Sequence, residues 1–160
     1  MIRIGHSTDI HQLKKGETLI LGGLKIPSPY ESVGHSDADC LLHAIAESLL
    51  GAIALGDLGT HFPDTLEDNK NLDSKVILKF AYEKVLEKGF KINNIDSMIF
   101  LQTPKLKDYI EPIKTSIAQL LDLDSTQVSV KATTGEKRGI IGNSEVIVCE
   151  SVVLIENNKR

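Results

Sequence analysis

The stretch "GHSTDIHQL", residues 5–13, puts a carboxylate and an imidazole two residues apart, at Asp9 and His11. In an extended chain, residues i and i+2 point to the same side with Cα atoms about 6.5–7 Å apart, so both side chains can reach one cation. A third ligand must come from another element, and "HSDADCLLHAIAE", residues 35–47, offers candidates. His43 lies one helical turn from both Asp39 and Glu47, at the edge of an apolar stripe. An imidazole there is awkward as plain core and useful as a ligand. One carboxylate and two imidazoles suit Zn²⁺ or a similar divalent ion, and three protein ligands leave a coordination position open, as catalytic sites do. An Asp-x-His pair can also be an accident of a turn, and a lone helical histidine is commonly a satisfied half-buried residue. Against that, all five histidines, His6, His11, His35, His43 and His61, fall in the first 61 residues with acids beside them.

A second group is "VKATTGEKRG", residues 130–139. Thr133, Thr134, Gly135 and Lys137 supply hydroxyls, loop amides and an ammonium, all suited to phosphate oxygens. Glu136 would repel phosphate unless it holds a hard cation such as Mg²⁺ that bridges to it. The alternative is an ordinary polar turn. "TPKLKD", residues 103–108, can cradle a nucleotide with backbone groups, although the motif alone is unspecific.

These groups need elements to hold them. Ile2–His6 reads as a short strand, and "ETLILGGLKIPSP" as two short strands turning at Gly22-Gly23, where a tight hairpin needs positive φ. Leu42, Ile45, Ala46, Leu49 and Ile53 recur at helical spacing, which predicts a helix from Asp37 to about Ile53 with Ser36 as its cap. "LGDLGTHFPDT" reads as a loop or a short helical turn. Further helices are predicted over Asp73–Lys88, with Gly89 just past its end, and over Tyr109–Leu121, with Pro112 in the first turn. Strands are predicted at Ser97–Gln102, at Val128–Ala132 and at Val146–Ile155. Both faces of the last strand are apolar, and three helices do not easily cover two faces of such a sheet. Packing of subunits sheet to sheet is therefore expected.

With 160 residues, 25% charged and 41% hydrophobic, the chain fits one soluble α/β domain, spanning residues 1–160, with a core of ordinary size. No signal peptide or membrane span is visible, so a cytoplasmic location without membrane partners is expected. A net charge of −4 without a basic run argues against a nucleic-acid partner. Cys40 and Cys149 lie apart in apolar segments and read as buried thiols.

In order and spacing, "GHSTDIH", "GHSDADCLLHAIAESLLGAIALGDLGTHFPDT", "QTPKL" and "VKATTGEK" resemble the 2-C-methyl-D-erythritol 2,4-cyclodiphosphate synthase family, from Ile2 to Ile155. The resemblance implies a homotrimer with active sites at subunit interfaces. Each subunit would be a mixed sheet (α/β, or α+β) with three main helices packed on one face and the other face toward the threefold axis. It implies Asp9, His11 and His43 as zinc ligands, and Asp9, Ile10, His11, His35 and Ser36 against the substrate. His35 and Thr134 would be the catalytic stabilisers of the transition state. Asp57, Leu58, Gly59, Phe62, Pro63, Asp64, Thr65 and Leu66 would form the methylerythritol-phosphate side. Leu101, Gln102, Thr103, Pro104, Lys105, Leu106 and Lys107, with Ala132, Thr133, Thr134, Gly135 and Glu136, would form the cytidine-diphosphate side. Glu136 would hold Mg²⁺ or Mn²⁺.

The implied reaction is that of a phosphorus–oxygen lyase of the non-mevalonate isoprenoid pathway. The 2-phosphate of 4-diphosphocytidyl-2-C-methyl-D-erythritol 2-phosphate attacks its own β-phosphorus, giving the 2,4-cyclodiphosphate and CMP. A zinc-dependent phosphohydrolase and a trimeric ligand-binding module that has lost its chemistry are the alternatives, and product analysis separates them. Four positions depart from the family pattern. Gly135 stands for a common threonine, Glu47 for an aspartate, Ile140 for an aromatic residue and Asn143 for an arginine.

Overall fold

The structure, a computed structural model, describes residues 1–63, 65 and 71–157. Strand β1 (Ile2–Lys15) is followed by a hairpin of β2 (Thr18–Leu21) and β3 (Leu24–Pro27), then by β4 (Tyr30–Val33). Helices α1 (Cys40–Ala52), α2 (Leu58–His61) and α3 (Ser74–Glu87) come next. After them run β5 (Lys91–Phe100), α4 (Ile110–Leu120), β6 (Val128–Thr133), α5 (Gly139–Gly142) and β7 (Val146–Glu156). The main sheet has the order β4-β1-β7-β5-β6, with β5 and β6 parallel and the other pairs antiparallel. The mixed α+β architecture expected from the sequence is present. No helix among the described residues is long and apolar enough to cross a membrane.

Several boundaries differ from expectation, each for a local reason. β1 runs to Lys15 rather than ending at His6, because β7 pairs with it as far as Gln12 and β4 takes over from Gln12 to Lys15. The polar segment "HSTDIHQ" is thus strand, and strand β4 carried too weak an alternation to be foreseen. β5 begins at Lys91 rather than Ser97, and a register shift between Ile92 and Asn94 interrupts the alternation that would have marked it. α1 starts at Cys40 rather than Asp37, and its cap is Asp39 rather than Ser36. Ala38 has φ of 59°, which breaks the helix before Asp39, whose carboxylate accepts the Leu42 amide. Of the adjacent Asp73 and Ser74, both suited to cap α3, Asp73 is the N-cap, and Gly89 follows the helix with φ of 77° as expected.

Helix α1 is buried almost all round. Leu41, Leu42, Ile45, Leu49 and Leu50 are fully enclosed, each contributing roughly 1.5–3 kcal/mol by leaving water. One side of α1 lies on β1 and β7, and α3 packs against it from outside. α4 packs beside β6. α1 therefore lies between the sheet and α3.

On the opposite face of the sheet, Ile2, Ile4 and Ile10 of β1 and Val152 of β7 are exposed. The register pairs Ile4 with Leu154 and His6 with Val152, so these side chains share that open face.

Contact between α1 and β1 is closest at Gly5. A Cβ built there would fall 1.8 Å from the Ser48 carbonyl oxygen and 2.9 Å from the Ala52 amide nitrogen. Gly51, on the outer side of the same helix, has open space around the corresponding position. Gly5→Ala should therefore lower stability by about 1–3 kcal/mol or more, because two backbones must separate. Gly51→Ala should raise it by a few tenths to about 1 kcal/mol through helix propensity. Denaturant unfolding of the two variants checks this pair of opposite signs.

Candidate metal centre and phosphate-binding loops

A strand advances about 3.3 Å per residue and a helix about 1.5 Å, so two strand residues keep pace with four helix residues. The α1–β1 contact follows that match. Gly5 lies against Ser48 and Ala52, Ser7 bonds Glu47 through its hydroxyl, and Asp9 meets His43. His11 is two residues further along the same face as Asp9. The fold thus brings together the three side chains singled out by spacing.

Asp9 Oδ2 is 2.8 Å from His11 Nε2 and 3.2 Å from His43 Nδ1, and the two nitrogens are 3.3 Å apart. Ligands 2.0–2.1 Å from a tetrahedral zinc ion are separated by about 3.3–3.4 Å, so the triangle is close to the size a bound ion needs. It is the one such group found among the described residues. His11 Nδ1 lies 3.1 Å from the Val33 carbonyl, which can only accept, so Nδ1 carries a proton and Nε2 is the atom that could bind a cation. A Cβ on Gly34 would come within 3.0 Å of the His11 ring, so glycine there lets the loop pass close behind it.

Without a cation the triangle is held by charge. Burial opposes ionisation of Asp9, but its bonds to His11 and His43 prevail and hold the carboxyl well below its ordinary value of 3.8. Burial likewise opposes protonation of His11, and Asp9 overrides it, raising the imidazole above its ordinary 6.5.

The neighbouring acids have other duties. Asp39, fully buried, accepts amides from Gly22, Gly23 and Leu42, and so clamps the β2–β3 hairpin to the start of α1. Burial pushes its carboxyl above the ordinary value despite those bonds. Glu47 turns away from His43 to reach Ser7 and the Leu58 amide. Both cysteines are buried and free, as expected. Cys40 Sγ donates to the Asp9 carbonyl at 3.2 Å, and burial raises both thiols above their ordinary value.

A cleft of about 370 Å³ opens over the triangle. Of the residues assigned to the substrate, Asp9, Ile10, His11, His35, Ser36, Leu58, Gly59 and Phe62 line it. Asp57 stands at its edge as the cap of α2, where bonds from the Thr60 hydroxyl and amide lower its carboxyl pKa. Pro63 and Thr65 are not among the residues that line the cleft, and Asp64 and Leu66 lie outside the described residues.

A second cleft, of about 300 Å³, is lined by Leu101, Pro104, Lys105, Leu106, Lys107, Ala132, Thr133 and Thr134. Thr103 joins Pro104 through a cis bond at its rim, and Gln102 accepts the Lys137 amide at 3.3 Å. Next to it, the Thr134 hydroxyl donates to Glu136 at 2.9 Å, and the Glu136 amide returns to that hydroxyl at 3.3 Å. Glu136 and Lys137 both have positive φ, so this loop is sharply folded. A Cβ on Gly135 would lie 2.5 Å from the Gly142 nitrogen. A threonine at this position would need residue 135 and the end of α5 to part.

The two clefts share no lining residue. Register places Asp9, Cys149, Ile99 and Ala132 in one row across the sheet, so Asp9 of the first cleft and Ala132 of the second stand three strands, or about 14 Å, apart. His35 and Thr134 accordingly lie in different clefts of the chain.

Comparisons with known proteins place the sequence and the fold. A family model described as the YgbB family matches residues 2–156. The chain is 50% identical to 2-C-methyl-D-erythritol 2,4-cyclodiphosphate synthase of Chlorobaculum parvum, over 97% of this chain and 99% of the relative. It is 47% identical to the enzyme of that name in Natranaerobius thermophilus, over 97% and 98%. A solved 2C-methyl-D-erythritol-2,4-cyclodiphosphate synthase in a CDP-bound form superposes with a TM-score of 0.89 at 34% identity, covering 96% of this chain and all of that one. Matched from end to end in sequence and fold, this chain belongs to the YgbB family.

Proposed function

We propose that the chain closes a cyclic diphosphate, converting 4-diphosphocytidyl-2-C-methyl-D-erythritol 2-phosphate to 2-C-methyl-D-erythritol 2,4-cyclodiphosphate and CMP. The observation that carries the reading is the Asp9–His11–His43 triangle, spaced for a divalent ion and opening on a cleft. The names of the relatives support the cyclodiphosphate-forming reaction.

In this reading the reacting groups belong to one molecule. An oxygen of the 2-phosphate bonds to the β-phosphorus as the bond from that phosphorus to CMP breaks. No protein nucleophile is needed, which fits two buried thiols with raised pKa values. The protein's task is to fold the substrate into line and offset the repulsion of two phosphates. Zinc, when bound by Asp9, His11 and His43, supplies positive charge that orients the phosphate, and Mg²⁺ or Mn²⁺ on Glu136 offsets charge on the diphosphate.

The remaining work falls to side chains and amides. His35 and Ser36 form the cleft wall beside the triangle and donate to the phosphate they face. Lys105 and Lys107 bring cationic charge to the second cleft, and Thr134 lies on its wall, where its hydroxyl must exchange Glu136 for the diphosphate to act as a donor. One substrate must touch both clefts, which lie three strands apart within a chain. The proposed homotrimer resolves this by setting the first cleft of one subunit against the second cleft of its neighbour. The exposed isoleucines of β1 would be covered in the same assembly.

Two variants test the metal roles. His43→Ala should remove a ligand, releasing zinc and nearly abolishing cyclisation. Glu136→Gln should retain zinc, raise the Mg²⁺ requirement and slow turnover by roughly 10²-fold. Metal analysis with assays at varied Mg²⁺ reads both. Full zinc with normal turnover in the first, or unchanged Mg²⁺ dependence in the second, contradicts the corresponding assignment.

The charge state adds a pH prediction. Asp9's contribution to the metal-free fold is complete above about pH 3.8 and is lost as pH falls through its depressed value. That of His11 is complete below about pH 6.5 and is lost as pH rises through its raised value. Their pair therefore supports the metal-free protein most between those limits. Zinc must displace the His11 proton, so uptake at pH 6 should release about one proton from that residue, and fewer as pH rises past its raised value. Calorimetry in buffers of different ionisation enthalpy measures this, and no release at pH 6 would contradict it.

A further inference from the structure

The two histidines of the triangle are held from behind in different ways. His11 is fixed by a backbone carbonyl, which no side-chain substitution removes. His43 is fixed by side chains. Its Nε2 lies 2.8 Å from Ser74 Oγ and 3.0 Å from Ser36 Oγ, on the side away from Asp9 and His11. Ser74, the first residue of α3, is fully buried, and its hydroxyl forms a short bond to Asp37 Oδ1. The Ser74 amide donates to the other oxygen of Asp37 at 3.1 Å.

Proton counting orients this chain. An ionised carboxylate only accepts, so the single Ser74 hydroxyl proton goes to Asp37. The Ser74 oxygen is then an acceptor toward His43, and Nε2 must be the donor. With the proton on Nε2, the lone pair is on Nδ1, the atom that faces Asp9 and His11. Ser36 Oγ is a weaker alternative acceptor, because it already takes the Ala38 amide and has no carboxylate behind it.

We infer that Asp37 and Ser74 are positioning residues for the metal centre. Together they form a carboxylate–serine–histidine relay that fixes the ring and tautomer of His43 and strengthens Nδ1 as a ligand. This rests on the metal reading of the Asp9–His11–His43 triangle. Carboxylates directly behind metal-bound histidines do the same work elsewhere, and their loss typically weakens metal binding by about 10- to 100-fold. Here a serine stands between, and the same carboxylate anchors the first turn of α3. The relay thereby makes zinc affinity depend on the seating of α3 against the segment that precedes α1.

Zinc affinity, measured by competition with a fluorescent chelator, tests the relay in Ser74→Ala, Ser74→Thr and Asp37→Asn proteins. Ser74→Ala and Asp37→Asn should bind Zn²⁺ about 10- to 100-fold more weakly, and Ser74→Thr, which keeps the hydroxyl, should recover most of the loss. In the zinc-loaded protein the His43 Nε2 proton should give an exchange-protected downfield NMR resonance, and Ser74→Ala should lose that protection. A merely structural role for Ser74 would lower the unfolding midpoint while leaving that resonance and the affinity of the folded protein unchanged. Asp37→Asn keeps an acceptor for the Ser74 amide, so it decides the matter if Ser74→Ala does not fold. Affinities within twofold of the unaltered protein in the folded variants overturn the relay. Failure of the unaltered protein to take up zinc overturns the metal reading instead.

Discussion

The site depends first on how closely α1 approaches β1. Two ligands stand on the strand and the third on the helix, so the distance between two backbones sets the size of the metal triangle. That distance is fixed where Gly5 lies under the Ser48 carbonyl, with no room for a side chain. From there the rises of strand and helix keep the elements in step through Ser7 and Glu47 to Asp9 and His43. Burial of the apolar residues around α1 supplies the force that holds the helix there. The candidate metal site is thus one end of a long helix–strand contact that starts at Gly5.

Charge is managed with the same economy. Each acid near the triangle has a separate set of donors, so several carboxylates coexist in a small volume. Asp39 is occupied by three amides, Glu47 by a hydroxyl and an amide, and Asp37 by Ser74. Asp9 alone is left facing two imidazoles. With one proton of His11 turned to Val33 and that of His43 to Ser74, the atoms facing Asp9 are joined in the metal-free protein by the extra proton that His11 holds, and a divalent cation that displaces this proton meets three acceptor atoms.

Much of this was legible in the sequence, and the limits have physical causes. The i, i+2 spacing of Asp9 and His11 and the helical period around His43 are local patterns, so they named the triangle. The glycine pair of the hairpin and the caps of α3 were legible for the same reason. The length of β1 was not, because its second half is held by β4 and β7 rather than by its own alternation. The α1 cap was misplaced because Ser36 and Asp39 are both good capping residues, and only the positive φ of Ala38 decides between them. Ser74 and Asp37 were missed as supports for His43. They stand 37 residues apart, and only the docking of α3 makes them neighbours.

The two clefts share no lining residue in one chain, so the account joins them through one substrate and a neighbouring subunit. Its central claim is that a phosphate held at the triangle attacks a diphosphate held at the Thr134–Glu136 loop. Phosphorus NMR of the purified, metal-loaded protein with 4-diphosphocytidyl-2-C-methyl-D-erythritol 2-phosphate tests that claim most directly. The account predicts that the substrate signals give way to a coupled pair from a cyclic diphosphate, accompanied by an equal amount of CMP. Release of inorganic phosphate, or a substrate spectrum that does not change, would contradict it.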